Sequence, residues 1–429
     1  MPTNPPASKL AALAVPAILA GVGCALTLIA LSVVASHLQD LLWTDLPETL
    51  GVADDSRWWT FGMSTAVGVA VGLVVWKVPG QAGPDPATTG LVEKPVRLSV
   101  LPSLALAVLI GLAGGVSLGP ENPIIAINTA LTVWVVGRLW RSVPVEVAVA
   151  LAAAATIGAM FGTPVAAALL FTEIAATTPG GRVWDKLFAP LVAAAAGALT
   201  MTAFGRPVFA VDVPPYTDPA LVDLVSAAVI ASATAVLALA AVYAFPVVHR
   251  GFHLLPNPLI AITAGGVVLG ILGVLGGRVT MFKGLDEMKQ LTDDASGMST
   301  GHLVLVTVVK LAALLIAASC GFRGGRIFPA VFIGVGAGLV AHSTVAAIPL
   351  AVAVAAGVLG SVLVVARDGW LALFMAATTV GDIRILPILC VAILPLWLLV
   401  ANRPPMLISP APAAAPPQAD QHDTSPGTA

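Results

Sequence analysis

One acid stands alone in the stretch Leu118-Gly119-Pro120-Glu121-Asn122-Pro123-Ile124-Ile125. From Leu104 to Gly137, Glu121 is the sole ionisable residue. A carboxylate this far from water-facing sequence is costly in lipid and marks a functional position. Gly119-Pro120 suits a chain break followed by a helix start, since proline fits a first turn where its missing N–H is not needed. Glu121 is then expected in the first turn of a helix that begins inside the apolar layer. Free backbone N–H groups and the positive end of the helix dipole attract anions to such a place. A tethered carboxylate competes with a free anion for those donors, and protonation takes it out of the competition. The chemistry this predicts is gating.

Further interruptions of apolar sequence offer similar backbone chemistry. Leu303–Cys320 runs into Gly321-Phe322-Arg323-Gly324-Gly325-Arg326-Ile327-Phe328-Pro329 and then resumes. The glycine pair allows a sharp turn in which successive amides converge. Val143–Phe171 is broken at Gly158-Ala159-Met160-Phe161-Gly162-Thr163-Pro164. In Gly83-Pro84-Asp85-Pro86, Asp85 reads as a helix N-cap followed by proline at the first helical position. The sharper alternative for Asp85 is a second proton acceptor.

The elements that must position these residues are membrane helices. The chain has 429 residues, 58% hydrophobic and 10% charged, with a mean hydropathy of +0.98. Soluble domains carry about 25% charge, so the reading is an all-α polytopic membrane protein embedded in a lipid bilayer. The net charge of −2 says nothing about nucleic acid, no basic cluster suggests such a partner, and none is expected. Cys24, Cys320 and Cys390 lie scattered in apolar runs and read as small buried hydrophobes rather than disulfides or metal ligands. No cofactor, metal or enzymatic activity is expected. Leu10–Val34 is long enough to be a retained span, which needs about 20 apolar residues.

Charge alternation orients the chain. The first loop holds Asp40, Asp45, Glu48, Asp54 and Asp55 against Arg57, and the next holds Lys77, Lys94 and Arg97 against Asp85 and Glu93. The basic side is normally cytoplasmic, which puts both termini inside and the acidic loop outside. His249, Arg250 and His253 fall on the basic side without acids. Non-helical backbone at membrane depth survives only where protein buries it or a cavity is lined by it. Paired Gly/Pro-interrupted segments in the two halves point to two inverted repeats with broken or re-entrant helices meeting at a midplane ion site. The expected division is a cytoplasmic N-terminus at 1–9, a first membrane repeat at 10–204, a loop at 205–218, a second repeat at 219–401 and a disordered cytoplasmic tail at 402–429.

These motifs resemble a known family. Gly119-Pro120-Glu121-Asn122-Pro123 is similar to the GREGP/GKEGP signature of the CLC chloride channels and chloride/proton antiporters. Gly324-Gly325-Arg326-Ile327-Phe328-Pro329 resembles the family's GGxFxP, and Phe161-Gly162-Thr163-Pro164 with Glu173 resembles FNAPL…FxxEE. Gly83-Pro84-Asp85-Pro86 falls where the family has GSGIP. Order and spacing agree over roughly residues 10 to 400, and the GPDPA, SLGPE and FRGGRIFPAVF strings look most like the bacterial YfeO-type branch. The resemblance implies a homodimer in the inner (plasma) membrane, each subunit with its own ion pathway for chloride or another small anion, with protons as a second partner.

It also implies site roles. Glu121 becomes the gate and proton acceptor. The anion-binding set becomes Gly83, Asp85, Gly119, Pro120, Asn122, Gly325, Arg326, Ile327 and Asp382, with backbone N–H groups of Gly325, Arg326 and Ile327 as donors. Arg326 departs from a usually aliphatic position, so its guanidinium either adds positive potential to the pathway or pairs with a carboxylate. Glu173 lies beside the antiporters' inner relay position, which Ile174 takes in ungapped register. It is either a relay or an interfacial glutamate opposed by Arg182. The family's pore tyrosine is missing, and counting back from Leu386-Pro387 puts Asp382 near its place. Asp368 reads as a local pair with Arg367. Rival functions are a passive channel without proton coupling, a cation- or proton-linked carrier motivated by Asp85 and Asp382, and a non-transporting scaffold.

Overall fold

The computed structural model describes residues 7–53, 56–177, 182–204, 209–217 and 219–408. Helices dominate, and among the described residues eight of them are long and apolar enough to cross a membrane. The first half runs α1 (Ala14–Asp40), α2 (Arg57–Lys77), α3 (Leu101–Ala113), α4 (Glu121–Leu139), α5 (Val145–Phe161), α6 (Pro164–Thr177) and α7 (Val183–Phe204). The second runs α8 (Leu221–His253), α9 (Pro258–Gly276), α10 (Leu285–Asp294), α11 (Thr300–Ser319), α12 (Ile327–Thr344), α13 (Leu350–Ala366), α14 (Gly369–Val380) and α15 (Leu386–Val400).

The two halves repeat one order of events. A helix ends, a short extended break follows, and a new helix starts: α3 gives way to α4 through Gly114–Pro120, and α11 to α12 through Cys320–Arg326. Next come α5 and α13, each 17 residues long. Each ends on a left-handed residue, Gly162 at φ 65° and Arg367 at φ 60°, and each is followed by a shorter helix. Only glycine takes that conformation freely, so Arg367 is a strained version of the same corner. Its guanidinium donates to the carbonyls of Val400 and Arg403, which holds the turn.

Packing depends on small residues because lipid tails provide no hydrophobic drive between helices. At the α2–α9 contact a β-carbon on Gly68 would lie 3.0 Å from Gly266 Cα and 3.0 Å from the Ile262 carbonyl. Any side chain there would push the two backbones apart. α13 is buried from Ala351 to Val364 and its sequence is apolar on every face, as a helix wrapped by others requires. Around Phe328, the rings of Phe161, Phe209 and Phe374 form an aromatic cluster with centroids 5.2 to 6.1 Å apart.

The tail expected to be disordered from residue 402 begins instead as packed chain. Met406 is buried, and the Ile408 N–H donates to the Ala87 carbonyl at 2.8 Å. Met406, Leu407 and Ile408 supply the apolar side chains that make this return favourable. The rest of that tail lies outside the described residues.

Candidate functional site

The breaks before α4 and α12 meet. Gly119 and Gly325 form an antiparallel bridge, with N–H to carbonyl distances of 2.9 Å one way and 2.6 Å the other. Two helix N-termini, one from each half, are thereby brought to one point. A side chain on either bridging residue would collide with the carboxylate where it stands: a β-carbon on Gly119 would lie 2.0 Å from Glu121 Oε2, and one on Gly325 2.1 Å from it. The glycines are there because the carboxylate fills the space a side chain would need.

Glu121 is the first residue of α4, as its sequence predicts, and is 1% exposed. Its Oε1 accepts from the Phe328 N–H at 2.7 Å, and the Ile327 N–H also faces it. The carboxylate of one half thus occupies the N-terminus of the other half's broken helix. Its Oε2 is buried and has no hydrogen-bond partner among the described residues. Leaving a charged acceptor in that condition costs well over the 1–3 kcal/mol typical of a neutral group. The position therefore suits a carboxylate that exchanges protons or moves.

The donor set differs from the one expected. The Gly325 N–H is taken by the Gly119 carbonyl, so it is not available to an anion. Phe328 supplies a donor instead, and sequence reasoning missed it because a backbone amide carries no side-chain signal. Asn122 turns away from the carboxylate, its Nδ2 donating to the Gly90 carbonyl at 3.1 Å. Pro120 is the residue before α4 and contributes no N–H.

Arg326 is buried at 9% exposure and pairs with no carboxylate within ion-pair distance among the described residues. Its guanidinium donates to the Met406 carbonyl and, at 3.2 Å, to the Thr89 carbonyl. The expected ion pair is replaced by backbone acceptors, which satisfy the fork without a second buried charge. Arg323 acts similarly, donating to the carbonyls of Ala82, Gly321, Gln81 and Gly83 at 2.9 to 3.2 Å. Those carbonyls converge because Gly80, Gln81, Ala82 and Gly83 all have positive φ, from 49° to 91°. Gln81 and Ala82 are strained there, and the guanidinium holds the turn together. Gly83 is thus part of a clamp on Arg323.

Asp85 does cap the short helix Pro86–Thr88, with Oδ1 accepting from Ala87 N at 3.0 Å. Its Oδ2 faces His249 and His253 rather than Glu121. Asp382 has local partners: its carboxylate is taken by Arg384 at 2.8 Å and by the Tyr216 N–H at 3.1 Å.

Asp368 does not pair with Arg367. It caps α14, accepting from Leu371 N at 2.7 Å, and its carboxyl faces that of Glu173 on α6. A cavity of about 230 Å³ is bounded by Asn122, Arg326 and Ile327 at the Glu121 end and includes Asp368 and Leu371. Glu173 opens on its other side to a larger apolar cavity of about 780 Å³ with Trp370 and Trp397.

Broken helices from two repeated halves, their N-termini aimed at one buried carboxylate, define a membrane ion transporter. The family description "Voltage gated chloride channel" matches residues 67–395, and the chain belongs to that family, the CLC ion transporters. It is 50% identical over 401 residues to "Putative ion-transport protein YfeO" of Salmonella newport (strain SL254), covering 94% of this chain and 97% of that protein. The protein of the same name from Salmonella paratyphi A (strain ATCC 9150 / SARB42) is 49% identical over the same length, with the same coverage. Among solved structures, a slow cyanobacterial Cl⁻/H⁺ antiporter matches with TM-score 0.75 at 17% identity, over 91% of this chain and 95% of its own. A CLC-type fluoride/proton antiporter matches with TM-score 0.69 at 18% identity, over 94% and 98%. Those two likenesses establish the fold. The chain is a multi-pass inner-membrane protein, as its composition predicts.

Proposed function

We propose that this transporter exchanges a small anion, chloride, for protons through Glu121, working as a homodimer with a pathway in each subunit. The observation that carries the reading is the Glu121 carboxylate seated on the Phe328 amide at the N-terminus of α12, with Oε2 unpartnered. An anion seeking that helix terminus needs the same donors. Two negative charges cannot share the place cheaply, so arrival of the anion is linked to protonation of the acid. A protonated Glu121 loses most of its hold, because hydrogen bonds to a charged acceptor are roughly twice as strong as neutral ones. It then moves off and leaves the donors to the anion.

The inward proton route follows the smaller cavity. Asn122, Arg326 and Ile327 border it near Glu121, Asp368 lies at its other end, and Asp368 meets Glu173. Asp368 and Glu173, one from each half, form the inner relay in this reading. Asp85 and Asp382, which motivate the cation-carrier alternative, are engaged with two histidines and with Arg384.

The test is anion-driven proton uptake in proteoliposomes, wild type against Glu121→Gln and Glu121→Ala. Wild type should take up protons when a chloride gradient is imposed. Both variants should lose proton uptake and pH dependence together, and Glu121→Ala should pass chloride passively. Chloride flux without proton uptake in the wild type would select the passive channel. A folded Glu121→Ala protein with wild-type flux and pH response would overturn both.

A further inference from the structure

Three side chains outside the Glu121 site converge where the two halves meet. His249 and His253 lie one helical turn apart at the end of α8, and Asp85 reaches them from the first half's loop. The i, i+4 spacing puts both rings on one face, stacked with centroids 3.8 Å apart. His249 Nε2 is 2.9 Å and His253 Nε2 3.3 Å from the same oxygen, Asp85 Oδ2. The three candidate ligand atoms all lie within 4.8 Å of one another.

His253 is oriented by its other nitrogen. Its Nδ1 is 3.0 Å from the His249 carbonyl, and a carbonyl can only accept, so Nδ1 carries the hydrogen. That turns Nε2 toward the carboxylate, 3.3 Å from Asp85 Oδ2. A histidine whose other nitrogen donates to a backbone carbonyl is the usual form of a metal-ligating imidazole.

We propose that Asp85, His249 and His253 form a site for a divalent transition-metal ion of the zinc class. Two imidazoles and one carboxylate suit zinc, cobalt or nickel rather than magnesium or calcium, which prefer all-oxygen shells. Zinc-to-ligand distances of about 2.0–2.2 Å place tetrahedral ligand atoms about 3.3–3.5 Å apart. The His253–Asp85 pair already has that spacing, the His249–Asp85 pair, at 2.9 Å, needs to open slightly, and the two rings, stacked 23° from parallel, must splay for both Nε2 lone pairs to aim at one ion. The carboxylate is oriented by its second oxygen, which accepts from Ala87 N. The ion would sit at the C-terminal end of α8, where the helix dipole favours positive charge. Access is open, since the His253 side chain is 51% exposed and borders a cavity of about 180 Å³. Arg323 lines the same cavity, but its guanidinium is committed to four carbonyls of the adjoining turns. A bound metal would tie the first half's loop at Asp85 to the second half's helix.

The experiment uses the full-length, tag-free chain, purified and stripped with a chelator, then titrated with Zn²⁺ by calorimetry and with Co²⁺ by visible absorption. The expected result is one ion per chain, a Co²⁺ band of imidazole-coordinated form, and no competition from excess Mg²⁺. His249→Ala and His253→Ala should each weaken Zn²⁺ binding at least tenfold. Should either variant fail to fold, Zn²⁺ protection of His249 and His253 in the wild type against diethylpyrocarbonate, located by mass spectrometry, gives the same answer. The proposal is overturned if no saturable site exists, if binding survives unchanged in both histidine variants, or if neither histidine is protected.

Discussion

The amide of Phe328 donates to Oε1 of Glu121 at 2.7 Å across 207 positions of sequence. The contact joins the two halves at their breaks, and in the proposed mechanism it is also the bond an anion must replace. In that mechanism structural closure and gating rest on the same few atoms. Conditions that dislodge the carboxylate should open the pathway without unfolding the protein.

Gly325→Ala tests that directly. The added β-carbon would lie 2.1 Å from Glu121 Oε2 and 2.6 Å from Cδ. The obstruction is the far end of a flexible side chain, so the carboxylate is displaced. Chloride flux in Gly325→Ala should approach that of Glu121→Ala. The double variant should add little, because the two changes remove one interaction and so couple strongly in a double-mutant cycle. Independent, additive effects would mean that the glycine acts through the backbone bridge instead.

Arg326 is held by the carbonyls of Met406 and Thr89. Arg326→Met should lower thermal stability while leaving anion preference within a factor of a few. Each buried carbonyl left without its donor costs about 1–3 kcal/mol. Arg326→Lys should rescue only part of this, since an ammonium is a point charge without the guanidinium fork. A folded Arg326→Met protein whose chloride preference shifts tenfold, about 1.4 kcal/mol, would place the side chain's effect on the ion itself.

Glu121 and the breaks before α4 and α12 were legible because glycine and proline interrupt apolar runs locally. Asp85 was legible as a cap for the same reason, since Asp-Pro needs no distant partner. What lay across the fold was not. Asp85 and His249 are 164 positions apart, and their meeting depends on how the first half's loop docks on α8. The acceptors of Arg326 are main-chain carbonyls, so no carboxylate in the sequence could have named them. The return of residues 406–408 to Arg326 and Ala87 was not legible either, because it follows α15 in a stretch whose composition reads as a disordered tail.

Asp382 gives a pH signature of its own. The hydrogen-bonded Arg384 side chain is the largest cause holding its carboxyl well below the ordinary 3.8, at about 2, with the Arg384 and Tyr216 N–H groups helping. A depressed carboxyl contributes stability that is fully present above its unfolded value and lost as pH falls through the folded one. The contribution should therefore fade between about pH 4 and pH 2. Asp382→Asn should flatten that limb of the thermal-stability profile and leave the profile near neutrality shaped as before. An unchanged acid limb would show that other carboxyls control it.

The inner proton route predicts a division between coupling and transport. Asp368 both caps α14 through Leu371 N and meets Glu173. Asparagine is as good an N-cap as aspartate, so Asp368→Asn keeps the helix start and removes the proton-carrying group. The variant should fold and pass chloride, while its chloride-driven proton uptake falls at least tenfold. Glu173→Gln should do the same, and the double variant should be no worse than either, because the two carboxyls act as one relay. Asp368→Ala should in addition lose about 1 kcal/mol of stability with the cap, which separates the structural role from the protonic one. The measurement is the ratio of protons to chloride in the same vesicles. A wild-type ratio in Asp368→Asn would remove this pair from the route and leave Glu121 to exchange its proton with the outer side alone.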